Sequence, residues 1–506
     1  MKHKVTLKPV GSELIAEHGA ALKDLLFEHS VEFPCGGQGR CRGCRVRVVA
    51  GETTVNEAQL ERLTQQELDE GWRLACQCSA ESDLTLELRQ WDSTILTNDT
   101  EFAFVPRKGL GVAIDVGTTT LVAQLLDLTT GAVIAVRTAL NPQARYGADV
   151  MSRVQHAVSE NGAEQLKEAI LRHAGALLKQ LAQAADVDFH EICRVVLVGN
   201  TVMHHLFCGI DLEPLSRYPF ETENAGLVRI CVADSGFDLP SDAEIWFLPC
   251  LGSFVGSDIL AGILASGLHL RDKPSLLVDL GTNGEIVVGN KEKILVASTA
   301  AGPAFEGARI SMGMRASSGA IWKVAVPEVG SDALRCDVLG SITPTGLCGS
   351  GLVDAVAVGL DMGVITPTGR IKGGGDMLLQ EPVKLTQTDI RQLQLAKGAI
   401  AAGIQILLNA WGACSEDLEH IYLAGAFGNY IDRASARRIG LIEFAPDRVE
   451  PIGNSALLGA KIALFAQDEE HLKYARILGT TTHFGLTADP AFQDIYVECM
   501  GFPAPE

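Results

Sequence analysis

The chain has 506 residues, of which 47% are hydrophobic and 21% charged, which is ordinary for a globular protein and too long for one core, so we expect about three domains. Its net charge of −20 argues against a nucleic-acid partner, because phosphates favour clustered lysine and arginine. No signal peptide or membrane-spanning segment is visible, and most cysteines lie scattered in apolar runs, so we expect a cytoplasmic protein with no membrane partner.

Four cysteines near the N-terminus form the most informative motif. Cys35, Cys41 and Cys44 lie in the segment FPCGGQGRCRGCRV, and Cys76 lies in RLACQC. Three thiolates on one glycine-rich loop, with a fourth from a distant strand, are typical of the ligands of a 2Fe–2S cluster. The alternative is a zinc site, but structural zinc usually takes two CxxC-like pairs, and only Cys41 and Cys44 form one.

Cys78 lies two residues beyond Cys76. We interpret it as a thiol near the cluster and not as a ligand. Upstream, the pattern predicts a pair of strands and an amphipathic helix with Leu22, Leu25 and Leu26 on one face. Downstream, CRVRVVAGETTV predicts a strand, and LTQQELDEGW predicts a short capped helix before the strand that carries Cys76.

Over residues 3–90 this pattern resembles the 2Fe–2S ferredoxin family. The gap of five residues between the first two cysteines differs from the plant-type spacing C-x4-C-x2-C and is similar to that of adrenodoxin-type or activator-type members. The resemblance implies a β-grasp, cluster-binding domain over residues 1–90. The looser pattern over residues 91–108 predicts a linker.

An internal repeat follows the linker. LGVAIDVGTTTLVAQLLDL and SLLVDLGTNGEIVVGN each contain an apolar strand that ends in aspartate, a Gly-Thr turn and a second apolar strand. Such a turn presents backbone N–H groups and hydroxyls to a phosphate, and the aspartate is placed to hold a hydrated Mg²⁺. One copy alone is more often a plain hairpin, but two copies favour phosphate binding. The predicted site residues are Asp115, Gly117, Thr118 and Thr119 in the first copy and Asp279, Gly281, Thr282, Asn283 and Gly284 in the second.

The duplicated motif resembles the acetate and sugar kinase/Hsp70/actin superfamily. The resemblance implies two ribonuclease-H-like lobes, over residues 109–270 and 271–506, that close around ATP. The segment HIYLAGAFGNYID resembles the small-residue turn that approaches the adenosine in that superfamily. The corresponding residues here are Gly425, Ala426 and Gly428. The motif GxxxxGK[ST] is absent from the sequence, so a P-loop nucleotide site is not expected.

A ferredoxin-type domain joined to an actin-type ATPase resembles the reductive activators of corrinoid proteins. The segments TALNPQARYGADVMSRV, LPCLGSFVGSDILAGIL, ASTAAGPAFEGARISMGMRA and AFQDIYVECMGFP share the resemblance. It implies a multidomain α/β and α+β enzyme that hydrolyses ATP to return the Co(II) corrinoid of a methyl-transfer protein to Co(I). The implied partners are that corrinoid protein and a low-potential electron donor. Larger members carry an extra small domain before the ATPase, whereas Gly109 follows the linker here, which leaves open how the ferredoxin-type domain moves and whether the protein is a homodimer.

Several alternatives stay open from the residues alone. The lobes could drive electrons into another enzyme, or the chain could be a nucleotide-dependent redox sensor. His204 and His205 have no third ligand at helical spacing, which favours packing over metal binding. Glu306 and Arg309 could face the nucleotide cleft or a partner, or could cap a helix. Ser298 and Thr299 could offer a hydroxyl to the corrinoid.

Overall fold

The computed structural model describes residues 2–8, 12–26, 31, 39, 44–88, 102, 104–147, 149–159, 162–218, 220–221, 224–326, 333–425, 427–428, 430–466 and 471–504. Within these residues, the three largest sheets are a mixed five-stranded sheet near the N-terminus and then two six-stranded sheets.

The N-terminal sheet has the order β2-β1-β7-β4-β5, in which β1 and β7 are parallel and the other neighbours are antiparallel. Helix α1 packs its leucines into the core under this sheet, as the amphipathic pattern predicted. The predicted short helix α3 is also present, with a capping box between Thr64 and Glu67. The elements are β1 (Lys2–Lys8), β2 (Ser12–Glu17), β3 (Ala20–Ala21), α1 (Leu22–Leu26), β4 (Arg45–Ala50), α2 (Glu57–Arg62), α3 (Gln65–Asp69), β5 (Trp72–Leu74), β6 (Ser79–Ala80) and β7 (Leu84–Glu87).

The second sheet belongs to the first lobe and has the order β10-β9-β8-β11-β13-β12. Its first three strands form an antiparallel meander, and β11 and β13 then run parallel to β8. Helices cover both faces, which explains why β8 and β11 are apolar nearly throughout. The elements are β8 (Leu110–Val116), β9 (Thr120–Asp127), β10 (Val133–Leu140), α4 (Val150–Ser159), α5 (Ala163–Ala185), β11 (Ile192–Val198), α6 (Thr201–Cys208), α7 (Glu213–Ser216), β12 (Val228–Ile230), α8 (Val232–Ser235), β13 (Glu244–Phe247) and α9 (Ser257–Ser266).

The third sheet repeats this arrangement in the second lobe. Strands β14, β15 and β16 form an antiparallel meander, and β22 and β23 follow parallel to β14. The elements are β14 (Ser275–Leu280), β15 (Gly284–Gly289), β16 (Ile294–Thr299), β17 (Ala320–Ala325), β18 (Arg335–Val338), β19 (Gly346–Leu347), α10 (Gly349–Asp361), β20 (Met377–Gln380), β21 (Val383–Leu385), α11 (Gln387–Trp411), β22 (Ile421–Ala424), α12 (Arg433–Arg438), β23 (Val449–Gly453), α13 (Ser455–Leu464), α14 (His471–Thr480), β24 (Thr481–His483) and α15 (Phe492–Met500).

The shared topology confirms the predicted fold class, two copies of one α/β unit after a ferredoxin-like domain. The predicted boundaries at residues 90, 108 and 270 remain predictions. One core joins the two lobes, because apolar residues of both six-stranded sheets pack around helices α9 and α13. These helices touch closely: a Cβ atom at Gly459 would lie 2.1 Å from the Ala261 carbonyl oxygen, so glycine is required there.

Helix α11 is, among the described residues, long and apolar enough to cross a membrane by length and composition. However, 72% of its most apolar window is buried inside the second lobe. Its apolarity is therefore explained by its place in that core.

Candidate functional site

The two predicted phosphate turns face each other across a cleft between the lobes. The first connects the paired residues Val116 and Leu121, and the second connects Leu280 and Gly284. The hydroxyl oxygens of Thr119 and Thr282, one from each turn, are 3.3 Å apart. The structure therefore brings both copies of the repeat to one site.

Glu306 joins the two turns. Its carboxylate accepts hydrogen bonds from Thr282 at 2.5 Å and from Thr119 at 3.4 Å. The open question about this residue is resolved in favour of the cleft, whereas Arg309 is exposed.

Buried polar side chains support the first turn from behind. Asn141 donates to the carbonyl of Gly117 at 2.9 Å, and Asn200 donates to the hydroxyl of Thr118, also at 2.9 Å. Arg153 donates to the carbonyl of Thr118 at 2.6 Å. Burial lowers the pKa of Arg153 to about 9, which still leaves the guanidinium charged at neutral pH. A positive charge thus lies directly behind a turn that is suited to an anion.

The two predicted Mg²⁺ aspartates are held by one helix. The side chain of Asn454 donates to Asp115 at 2.9 Å, and the hydroxyl of Ser455 donates to Asp279 at 3.4 Å. Asn454 is the N-cap of α13 and Ser455 is its first residue. The N-terminus of α13 therefore bridges the two copies of the repeat.

The predicted adenosine turn reaches the same cleft. Gly425 has a φ of 91°, and a Cβ atom there would lie 2.9 Å from the Asp279 carboxylate. Phe427, within the turn, stacks on Phe305 with ring centroids 4.9 Å apart. A Cβ atom at Gly428 would lie 2.5 Å from the carbonyl oxygen of Ala424, so the turn requires small residues. The predicted Ala426 lies outside the described residues.

Two further acids, which we did not predict from the sequence, complete the cleft. Asp258 lies in the first turn of α9, and Glu285 on β15 pairs with Asp279 on β14. Both had a signal that could have found them: Asp258 interrupts the most apolar stretch of the sequence, and Glu285 lies in an otherwise apolar strand. Acids in such settings are candidates for functional groups.

The cleft acids hold their protons unusually tightly. Burial, followed by repulsion from Asp115 and Asp279, raises the pKa of Asp258 to about 8. Burial raises the pKa of Asp115 to about 6, and burial and repulsion from Asp115 raise that of Asp279 to about 7. Burial and the charge of Asp258 raise the pKa of Glu285 well above its usual range. The aspartates keep some solvent contact through the cleft, but protein atoms enclose their other sides, so their ionised forms are poorly solvated.

These acids fit a hydrated Mg²⁺. Within the described ranges, no three His, Cys, Asp or Glu side chains converge closely enough to bind a metal ion directly. A Mg²⁺ ion that keeps most of its water and bridges to phosphate oxygens needs only one or two carboxylates. Its charge would also relieve the repulsion between Asp115, Asp258 and Asp279.

The raised pKa values predict a stability that falls with pH. Between the usual pKa of 3.8 and the raised value of about 8 for Asp258, the folded state binds more protons than the unfolded state, so the free energy of unfolding decreases as pH rises. Without nucleotide or metal, the thermal midpoint of the wild type should fall between about pH 7 and pH 8.5, and that of Asp258→Asn should fall less. Equal falls, measured by differential scanning calorimetry, would show that Asp258 ionises normally.

The predicted cluster ligands are described in part. The pairing of Arg45 with Leu74 places Cys44 and Cys76 at the same end of β4 and β5, and the Ala75 amide donates to the Cys44 carbonyl at 2.9 Å. Cys35 and Cys41 lie outside the described residues. The backbone thus brings the two described members of the predicted ligand set to the same end of the sheet, as a shared cluster would require.

One prediction about this region was wrong. Cys76 does not lie on a strand, because β5 ends at Leu74 and a single 3-10 turn (Ala75–Gln77) follows. Cys78 is 3% exposed in the domain core, and its thiol is 3.8 Å from the side-chain oxygen of Gln59. Burial raises its pKa to about 11, so it stays a protonated thiol at neutral pH. This setting supports the prediction that Cys78 is not a ligand.

The two adjacent histidines pack in the first lobe. His204 and His205 are fully buried and bond to the carbonyls of Gly226 and Thr201. Burial lowers the pKa of His204 to about 4, so its ring is neutral. Packing, and not metal binding, explains this pair.

Family models match three consecutive parts of the chain. They are a 2Fe–2S iron–sulfur cluster binding domain over residues 5–81, the RACo middle region over 110–271, and the C-terminal domain of RACo, the ASKHA domain, over 273–506. The order of these matches is the order of the three sheets.

Whole proteins of similar sequence and structure agree. The chain is 38% identical over 424 residues to the corrinoid activation enzyme RamQ of Eubacterium limosum, a match that covers 76% of this chain and 69% of the relative. It is 29% identical over 419 residues to the Co(II) methylated amine-specific corrinoid protein reductase of Methanosarcina barkeri, with 76% of each chain covered. A solved reductive activator for corrinoid, iron–sulfur protein superposes with a TM-score of 0.72 at 28% identity, covering 100% of this chain and 99% of the other. The chain therefore belongs to the family of reductive activators of corrinoid proteins, in which a 2Fe–2S domain precedes an ASKHA-type ATPase.

Proposed function

We propose that the protein uses ATP to return the Co(II) corrinoid of a methyl-transfer protein to Co(I), with electrons passing through its 2Fe–2S cluster. The observation that carries this proposal is the presence in one chain of a ferredoxin-type domain and of a cleft where two phosphate turns meet. The functions for which its relatives are named, corrinoid activation and Co(II) corrinoid protein reduction, support it.

The pairing of these two parts has a physical reason. Plant-type 2Fe–2S centres have reduction potentials of about −400 mV. Each tenfold change in a one-electron equilibrium constant corresponds to about 59 mV. Nucleotide binding and hydrolysis can supply additional bias if the two nucleotide states differ in affinity for the Co(II) protein. The ATPase would then drive a reduction that the cluster alone completes poorly.

We assign the roles of the site residues within this proposal. Cys35, Cys41, Cys44 and Cys76 hold the cluster, whose chemistry is one-electron transfer. Asp115 and Asp279 hold the hydrated Mg²⁺ of MgATP. The phosphate contacts come from Gly117, Thr118, Thr119, Gly281, Thr282, Asn283 and Gly284, and the adenosine contacts come from Gly425, Ala426 and Gly428. The hydroxyl of Thr118 accepts from Asn200, which leaves its own proton available to donate to a phosphate oxygen.

The same proposal implies an electron donor and a cellular compartment for the protein. A low-potential donor must reload the cluster, since each Co(I) formed consumes one electron. Most of the cysteines lie scattered in apolar runs of the sequence, a distribution that suits a reducing compartment such as the cytoplasm. Assembly as a homodimer remains a prediction from the sequence.

Removing a cluster ligand should separate electron transfer from ATP hydrolysis. Cys76→Ser should lose most of its visible absorbance and iron, because a 2Fe–2S cluster needs four thiolates, and with it the formation of Co(I). ATP hydrolysis should persist, because the nucleotide cleft is formed by the two lobes and not by the ferredoxin-type domain.

The matched control is Cys78→Ser, two residues away and directed into the core. It should keep its iron content, its spectrum and Co(I) formation. A Cys76→Ser variant that still forms Co(I) at the wild-type rate would contradict the proposed electron path, and a colourless Cys78→Ser variant would contradict the ligand assignment.

A further inference from the structure

Helix α13 has two functional ends. Its N-terminus holds the aspartates of the nucleotide cleft through Asn454 and Ser455. Its ten residues extend over about 15 Å. Its C-terminal end therefore lies well outside the cleft, where no nucleotide contact is expected.

Two arginines from different parts of the chain donate hydrogen bonds to carbonyls at and just beyond that C-terminal end. Arg194, on β11, donates to the carbonyls of Leu464 and Ala466 at 2.9 and 2.7 Å. Arg107, which precedes β8, donates to the carbonyl of Ala466 at 3.1 Å. Arg194 satisfies the carbonyl of Leu464, the last residue of α13. Both guanidinium groups pair with Glu244 and lie beside the negative end of the helix dipole.

The end of the predicted linker packs against the same point. We call residues 102 and 104–107 the linker root. The rings of Phe102 and Phe104 lie 5.5 and 4.5 Å from that of Phe465. On the other side, the Arg107 amide donates to the Leu128 carbonyl at 2.9 Å. The root thus lies between the first lobe and the end of α13, and it is the point at which the chain from the cluster domain joins the ATPase.

Close packing limits bending of α13 between its ends. Besides the contact of Gly459 with Ala261, a Cβ atom at Gly262 would lie 3.0 Å from the Ser455 hydroxyl. Lys461 and Leu464 are buried as well. A helix enclosed in this way moves as a unit, because packed interiors transmit displacement rather than absorb it.

We infer that α13 couples the nucleotide cleft to the linker root, so that occupation of the cleft strengthens the seating of the root on Phe465 and the seated root strengthens nucleotide binding. The inference deepens the proposed function, because the root leads to the domain that carries the cluster. Coupling between two sites is reciprocal: the factor by which nucleotide stabilises the seat equals the factor by which the seat raises nucleotide affinity.

The first test changes the root and measures the cleft. In the full-length protein, the double variant Phe102→Ala/Phe104→Ala should bind MgADP about fivefold more weakly than the wild type in isothermal titration calorimetry, a typical coupling factor. The matched control is Phe189→Ala, a half-buried phenylalanine of the first lobe whose ring lies by His190 and Lys179. It should bind MgADP as the wild type does.

The second test needs no variant, which guards against misfolding. Hydrogen exchange of the Arg107 amide in the wild-type protein should slow by about fivefold when MgADP is added, the same factor by reciprocity. Unchanged MgADP affinity in the double variant, or an Arg107 amide that exchanges equally fast with and without MgADP, would each overturn the inference. Neither test contains a corrinoid protein or a reductant, so its failure would leave the proposed reduction intact, and failure of that reduction would leave this coupling standing.

Discussion

Asp115→Asn and Asp279→Asn should each lower MgATP hydrolysis by about a hundredfold, the usual cost of removing one charge-stabilising group from such a site. Asparagine keeps the size of the side chain and an oxygen that can accept from Asn454 or Ser455, so the local packing is preserved. The charge that would hold the hydrated Mg²⁺ is lost. Phosphate release at saturating MgATP measures the effect directly.

A matched control and an independent readout accompany this prediction. Asp272 lies exposed beyond the opposite end of β14 from Asp279 and pairs with Lys291, so Asp272→Asn should hydrolyse ATP as the wild type does. The cluster absorbance of all three variants should be unchanged, because the cluster belongs to the ferredoxin-type domain and the three substitutions lie in the ATPase lobes. If either cleft variant hydrolyses ATP at the wild-type rate, the corresponding turn is only a hairpin.

The repeated local sequence motif was sufficient to predict the architecture of the cleft. An aspartate at the end of an apolar strand, followed by a Gly-Thr turn, specifies a hairpin whose turn lies at the ends of its two strands. Two copies of this pattern predicted two similar lobes, and the shared strand order confirms them. That Thr119 and Thr282 meet follows from the two lobes facing each other, which the superfamily resemblance implied.

The residues that support the cleft could not be predicted in the same way. Asn454 is 339 positions away from the Asp115 that it contacts, and no local pattern connects them. Its sequence signal, an asparagine before an apolar helix, is that of an ordinary N-cap. Glu306 was ambiguous for the same reason, since only the tertiary structure brings it to the two turns.

The 3-10 turn at Cys76 is a smaller difference between the structure and the sequence-based prediction. The segment RLACQC was expected to keep Cys76 on a strand, but β5 ends at Leu74. Packing of Cys78 into the domain core, which the local pattern does not specify, therefore outweighs the local β propensity.

We expect ATP to supply driving force for an electron that passes through the cluster. The most direct measurement mixes the full-length protein with a Co(II) corrinoid protein and a reductant of defined potential, and follows Co(I) by its visible absorbance with and without MgATP. At a reductant potential about 120 mV too weak for direct reduction, only about one corrinoid in a hundred should reach Co(I) without ATP, since each 59 mV is tenfold. With MgATP, conversion should approach completion, and it should fail with Asp279→Asn. Equal Co(I) yields with and without MgATP would show that ATP does not drive the reduction, and a nucleotide-dependent redox sensor would then describe the protein better.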